Sequence, residues 1–184
     1  MKRKIALIIL SLVLVLGLMP ATVAAAKPSS GPVAYGVITS IDPTELGSVV
    51  NGAGNSGRWR VDGRTVYGTF LGPIIGDGFT FSYKANVNEL QAGTLHGTMT
   101  TSQYTFNVNG KTGPATFFGW YGPYPLFQID ISGKWTVLDG AKGNGDFTST
   151  IVVLTDGTHI LAIIPTLDGV NFLSTITLTG SFEP

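Results

Sequence analysis

The sequence predicts an all-β fold in which a single-domain antiparallel meander closes as a β-barrel, preceded by an N-terminal signal peptide. Apolar and polar residues alternate with a period of two in many segments, which is typical of half-buried antiparallel strands. Dipeptides that favour tight hairpin turns separate several of these segments. Because a meander of many strands must protect its edges, we expect it to close; a two-sheet β-sandwich is the alternative.

The first 26 residues have the order of a secretory signal peptide. Basic residues Lys2–Lys4 precede an apolar run over 5–19, and small residues Ala24–Ala26 follow it. This run of 15 residues is shorter than the about 20 that a membrane-spanning helix needs. We therefore expect cleavage near Ala26, a single all-β domain over 27–184 and no stable membrane span after cleavage. The protein is expected to be secreted, extracellular or in the cell envelope.

Strands are predicted along most of the domain. Val33, Tyr35 and Val37 share one face of the first segment, and Ile176, Leu178 and Phe182 do so in the last one. Because adjacent segments can merge, we expect roughly nine to eleven strands. The alternating segments lie near 33–41, 57–62, 65–71, 78–87, 93–101, 103–109, 111–118, 125–131, 133–138, 146–154, 158–164 and 172–182.

The connections are predicted from glycine-containing dipeptides. Asn109-Gly110, Asp156-Gly157 and Asp168-Gly169 suit tight turns, because these residues accept the positive φ angles that such turns require. The segment 139–146 predicts a longer glycine-rich turn. Near the N-terminus of the domain, 42–47 predicts one helical turn, and a flexible loop is expected over 51–57.

Composition and charge restrict the partners that the domain can have. The chain contains no cysteine, so a hydrophobic core rather than disulfides must stabilise it. Without the signal peptide, eight basic residues stand against eleven acidic ones, a net charge of −3, which argues against a nucleic-acid partner. Charged residues form 12% of the chain, about half the usual fraction. This gives weak electrostatic protection against association, so self-association is a further expectation.

An aromatic segment over 117–127 is the first candidate binding site. It combines six aromatic residues with two glycines and two prolines, which predicts a loop rather than a regular strand. Exposed aromatic rings on a loop can stack on sugars, grip a partner or dip into a membrane surface. The alternative is that the loop folds over one end of the barrel and plugs it. The predicted ligand-binding residues here are Phe118, Trp120, Tyr121 and Tyr124.

A basic cluster is the second candidate site. Arg58, Arg60 and Arg64 lie within seven residues, and alternation places Arg58 and Arg60 on the same face of a strand. Guanidinium groups bind carboxylates, sulfates and phosphates, so Arg58 and Arg60 are predicted ligand-binding residues. The alternative is a solvated outer face, with Trp59 in the core.

Few residues suit catalysis or metal binding. The chain has two histidines, His96 and His159, and no catalytic, phosphate-binding or metal-binding motif. Five of the eleven carboxylates directly precede a glycine, where turn geometry explains them. We therefore expect no cofactor and no metal site, and the sequence identifies no catalytic residue.

The function expected first is that of a secreted or cell-surface, non-catalytic protein that binds a ligand or partner through the aromatic segment. The expected partner classes are carbohydrate, a small apolar ligand and another surface protein. One alternative is an extracellular structural subunit that self-associates. Another is a small barrel isomerase or cyclase, whose apolar cavity would hold a polar residue such as His96.

Overall fold

The computed structural model describes residues 31–42, 50–51, 58–71, 78–156 and 160–184. These residues contain eleven strands and no helix, hence none with the length and hydropathy that crossing a membrane requires. The strands are β1 (Gly31–Ile41), β2 (Val50–Asn51), β3 (Arg58–Phe70), β4 (Gly78–Asn88), β5 (Gly93–Thr101), β6 (Thr105–Thr112), β7 (Thr116–Tyr121), β8 (Tyr124–Val137), β9 (Lys142–Thr155), β10 (Ile160–Ile163) and β11 (Thr175–Glu183).

Eight antiparallel strands close into a barrel, which confirms the predicted fold class. Their order around the barrel is β1, β3, β4, β5, β6, β8, β9 and β11, which follows the chain as a meander does. Pairing of β11 with β1 completes the ring, with Gly31 opposite Gly180 and Val37 opposite Thr175. Closure removes the free edges that a long open meander would expose.

Two long strands extend the sheet beyond one end of the barrel. β8 and β9 have 14 residues each and pair with one another from Leu126 opposite Leu154 to Thr136 opposite Asn144. Their neighbours in the barrel are shorter, so the protruding part of β8 pairs with β7 and that of β9 pairs with β10. We call this end of the barrel the hairpin end, because the β7–β8 hairpin lies there.

Large aromatic side chains fill the opposite end of the barrel. Phe106 and Trp135 are fully buried, and their rings meet edge to face with centroids 5.8 Å apart. Tyr104 and Phe182 add a second edge-to-face pair at 5.0 Å. The Nε1 of Trp135 donates to the carbonyls of Asp146 on β9 and Thr179 on β11, so a core side chain also links two strands.

A smaller apolar cluster lies on the outer face of the extension. Even-numbered residues of β8 and β9 point away from the lumen, and Leu126, Val152 and Leu154 are buried there. Ala162, Ile164 and Leu173 cover them, contributed by β10 and by the connection from β10 to β11. This cluster packs β10 and the connection that follows it against the outer face of β8 and β9.

The prediction of a hairpin turn at Asn109-Gly110 is wrong. Both residues lie inside β6, where Asn109 pairs with His96 of β5 and with Lys134 of β8. Gly110 is required for packing instead, because a Cβ on it would lie 2.7 Å from Cζ of Phe147. Phe147 projects into the lumen, and its ring occupies the space that the glycine leaves.

Other predicted boundaries also moved. The glycine-rich turn covers only 138–141, because residues from Lys142 onward pair with β11. The segments near 57–62 and 65–71 form one strand, as do those near 125–131 and 133–138. The chain turns at Asp168-Gly169, where Gly169 has a φ of 75°, but β10 and β11 on either side both pair with β9, so this turn does not join two paired strands. The signal peptide, the helical turn over 43–47, most of the loop over 51–57 and Gly157 lie outside the described residues.

Candidate functional site

The aromatic segment forms a β-hairpin, so the prediction of an irregular loop there is wrong. β7 pairs with the start of β8, with Phe117 opposite Phe127 and Tyr121 opposite Tyr124. Gly122 and Pro123 form a two-residue connection, and the φ of 60° at Gly122 fits the first central position of a hairpin turn. An irregularity between Phe117 and Gly119 interrupts the simple alternation of β7.

The two faces of this hairpin differ. Phe127 lies on the same side of β8 as Ile129, which lines the lumen. Phe117 and Trp120 of β7 are opposite residues on this side of β8, so both also lie on the inner side. The ring of Phe117 contacts those of Trp120 and Phe127, with centroids 5.7 and 6.0 Å apart. Tyr121 and Tyr124 lie on the opposite, outer side. The inner aromatic face therefore continues the apolar wall of the lumen beyond the rim.

Solvent exposure of the hairpin excludes the alternative that it plugs the barrel. Its predicted binding residues are 41–66% exposed, with Trp120 the most exposed of them. The plug of the barrel consists of other aromatic residues at the opposite end, among them Phe106 and Trp135. The hairpin aromatic residues thus remain available for contact with another molecule.

The lumen of the barrel contains a cavity of about 100 Å³. Aliphatic side chains from strands around the barrel form most of its wall, including Val61, Ala85, Leu95, Ile131 and Val153. These residues are smaller than the aromatic ones at the filled end, which leaves the space open. Apolar cavities of roughly 150 Å³ accept benzene, so a narrow apolar group suits this volume.

A charged residue, Arg64, lies in the cavity wall. Its internal position was not predicted from the sequence. It is 7% exposed. Between Val61 and Arg64 the register of β3 and β4 shifts, and Gly63 has a φ of 74°, as a β-bulge requires. The bulge places Val61 and Arg64 on the same, inner face although they are three residues apart. A glycine inside an alternating segment was the signal for this bulge.

The other two arginines lie elsewhere. Arg60 is exposed on the outer face of β3, and the side chain of Arg58 lies outside the described structure. Three strands separate β3 from β8 in either direction around the barrel. The structure therefore does not bring the predicted arginine site together with the aromatic hairpin.

The described histidine and the carboxylates that form ion pairs lie outside the cavity. His96 is exposed on the outer face of β5, so it is not the internal polar residue that the isomerase alternative expected. His159 lies outside the described residues. Asp62 forms an ion pair with Lys84 at 2.8 Å, and Asp146 forms one with Lys134. In the part of the chain that the structure describes, no group of three potential metal ligands comes together.

Fold and site together define a closed antiparallel β-barrel with an internal cavity and an aromatic hairpin at one end. No protein-family model, curated protein or solved structure matches this chain. What the protein does must therefore follow from the chemistry of the cavity and the hairpin.

Proposed function

We propose that this protein is an exported, non-catalytic binding protein that takes a small apolar ligand into the barrel lumen. The observation that carries the proposal is the apolar cavity, whose wall continues into the inner aromatic face of the β7–β8 hairpin. Apolar concave sites with a few polar groups are the usual form of small-molecule sites. The order of residues over 1–26 supports a location outside the cytoplasm.

The residues of the cavity wall favour binding over catalysis. Arg64 and Tyr83 are its ionisable residues among those described. Arg64 stays charged and burial raises the pKa of Tyr83, so neither accepts a proton at neutral pH. A barrel isomerase or cyclase would need a general base beside its substrate. A binding protein needs only a matching apolar surface and a few polar contacts.

The first test removes aromatic rings from one face of the hairpin at a time. The uncharged probe 1-octanol, which has an unbranched chain, reports binding to an apolar site by titration calorimetry. We expect Phe117→Ala with Trp120→Ala to weaken probe binding by about tenfold, since rings that cover a bound molecule contribute strongly to affinity. The matched control is Tyr121→Ala with Tyr124→Ala on the outer face, which should change affinity by less than about twofold.

Each outcome has a distinct meaning. A wild-type protein that does not bind the probe would contradict the lumen as an apolar ligand site. Binding that survives loss of the inner rings would separate the hairpin from the site. Sedimentation velocity on the same proteins tests the structural alternative. Concentration-dependent assembly that disappears with either pair of rings would favour a self-associating subunit.

A further inference from the structure

The position of Arg64 is the observation that goes beyond apolar binding. The bulge at Gly63 turns its side chain into a lumen that is otherwise mainly aliphatic. A charged group is costly to hold in such surroundings unless it is paired and hydrogen-bonded. The cost of burying Arg64 therefore depends on the hydrogen bonds that its guanidinium makes.

The protein satisfies Arg64 only in part. Its Nη2 donates to the carbonyl of Ile160 on β10 at 3.4 Å, and its Nε is buried without a hydrogen-bond partner. Within the described part of the chain, no carboxylate forms an ion pair with it. A guanidinium offers five N–H donors in a planar fork, so donors remain for a group that enters the cavity.

Tyr83 adds a second polar group to the same part of the wall. It is the residue of β4 that pairs with Arg64 of β3. Burial raises the pKa of Tyr83, and the charge of Arg64 and its hydrogen bond with the Tyr83 hydroxyl oppose this rise only in part, so the hydroxyl stays protonated at neutral pH.

Two hydroxyl groups of the wall are already bonded to the backbone. Ser149 donates to the carbonyl of Thr175 at 2.8 Å, and Thr112 donates to that of Gln91 at 2.6 Å. Arg64 is therefore the wall residue with an unused, buried donor, and that donor carries a positive charge.

We propose that the cavity binds a carboxylate with an unbranched apolar chain. Arg64 holds the carboxylate, and the chain runs along the aliphatic wall toward the hairpin end and the inner aromatic face beyond it. A carboxylate matches the planar fork of a guanidinium with two parallel hydrogen bonds. It carries one negative charge, which one arginine balances, whereas a doubly charged phosphate would leave excess charge in an apolar lumen. The narrow cavity fits a linear chain better than a fused ring. This inference rests on the proposed function and names its ligand class.

The test compares two ligands of equal chain length on four proteins. Octanoate and 1-octanol differ at the polar end, and calorimetric titration gives the affinity of each for the wild type, Arg64→Met, Arg64→Lys and the control Arg60→Met. We expect the wild type and Arg60→Met to prefer octanoate by tenfold or more, as a charge-assisted bidentate bond implies. Arg64→Met should lose this preference or bind 1-octanol more tightly, because an unpaired carboxylate is costly in an apolar lumen, and Arg64→Lys should retain a weakened preference for octanoate.

The ligand pair separates two kinds of failure. Absence of binding for both ligands in the wild type would contradict the proposed function itself. Equal binding of both ligands by the wild type, or a preference that persists in Arg64→Met, would overturn the role of Arg64 and leave the apolar site standing. Thermal unfolding confirms that each variant is folded. If Arg64→Met does not fold, the wild type is compared with Arg64→Lys. A weaker preference for octanoate in Arg64→Lys supports the role of Arg64, and an unchanged or absent preference in both proteins contradicts it.

Discussion

At the level of a single residue, Gly63 determines which side chains of β3 line the lumen. Regular alternation along β3 would place Val61 and Arg64 on opposite faces, and one of them would leave the lumen. The bulge around Gly63 adds a residue, so both side chains point inward. Asp62, beside the glycine in the bulge, forms an ion pair with Lys84 on β4. The cation in the lumen is thus a consequence of backbone geometry.

Replacing Gly63 with alanine should destabilise the protein by about 1–2 kcal/mol, the usual cost of a left-handed backbone conformation for a residue with a Cβ. The added methyl group would meet no atom within 4 Å, so this cost comes from the φ of 74° and not from a clash. Urea unfolding followed by tryptophan fluorescence measures it.

Gly119→Ala is the matched control for Gly63→Ala. A Cβ at Gly119 also has nothing within 4 Å, and the backbone there is not in the left-handed region. Its free energy of unfolding should stay within about 0.5 kcal/mol of the wild type. An equal loss in both variants would argue against backbone strain at Gly63.

At the scale of strands and turns, the sequence predicted the positions of the strands better than the turns that connect them. The segments near 78–87 and 93–101 were found almost unchanged as β4 and β5. The turn prediction at Asn109-Gly110 was wrong because this glycine makes room for the ring of Phe147. The same dipeptide is found where a glycine permits a turn, so the sequence does not distinguish the two roles. That ring comes from a strand more than 30 residues further along the chain, so local sequence cannot indicate it.

The aromatic segment shows the same limit. Its composition predicted a turn at the surface, because glycine and proline are common there, but left open whether the rings are exposed or plug the barrel. The structure shows them exposed. The irregularity after Phe117 breaks the alternation that would have predicted a strand. Which rings face the lumen depends on pairing with β8, and this pairing is not visible in the sequence of β7 alone.

The connection between β10 and β11 is organised by Asp168. One carboxylate oxygen accepts from the amides of Val170 and Asn171 at 2.9 and 2.8 Å and from the hydroxyl of Thr166 at 3.0 Å. The amide bonds, that of Asn171 first, hold the pKa of Asp168 well below its usual range. Leu173, at the end of this connection, covers the outer apolar cluster.

This connection should loosen in acid. The pKa of Asp168 is lower in the folded than in the unfolded state, so its carboxylate stabilises the fold fully at a pH above the unfolded-state pKa of about 3.9. This stabilisation is lost as the pH falls from there toward the folded-state pKa. Amide hydrogen exchange at Val170 and Asn171 should therefore accelerate below about pH 4 relative to a barrel amide such as Leu178.

The control for this acid effect is Asp168→Asn. An asparagine side chain does not ionise in this range, so exchange at Val170 and Asn171 should lose its dependence on the carboxylate. If the two amides respond to acid as strongly in this variant as in the wild type, another group controls the connection.

For the whole molecule, closure was predictable and the cavity was not. Consecutive alternating segments without a long crossover imply that neighbours in the chain pair, and a closed ring then follows. The cavity depends on the sum of side-chain volumes from strands far apart in the chain. Arg64 lies within it only because of a bulge on β3, and Phe147 reduces it from β9. No single segment carries that information.

Closure also means that the ends of the barrel domain are neighbours. Gly31 at the start of β1 pairs with Gly180 near the end of β11, which places their Cα atoms roughly 5 Å apart. At the same end of the barrel, β8 and β9 are joined by the exposed turn over 138–141. Asp139 in that turn accepts a hydrogen bond from the amide of Thr105, so a break after Gly140 would keep this bond.

A circular permutant tests whether the closed ring is the unit of stability. Joining Pro184 to Gly31 through about five residues, and opening the chain between Gly140 and Ala141, keeps every strand pairing of the barrel. We expect it to unfold in one cooperative transition, within about 2 kcal/mol of the wild type. A chain ending at Ser174 lacks β11 and exposes the edges of β1 and β9, so it should lose that transition. Cooperative unfolding of the shortened chain would show instead that the open sheet is stable and that closure contributes little.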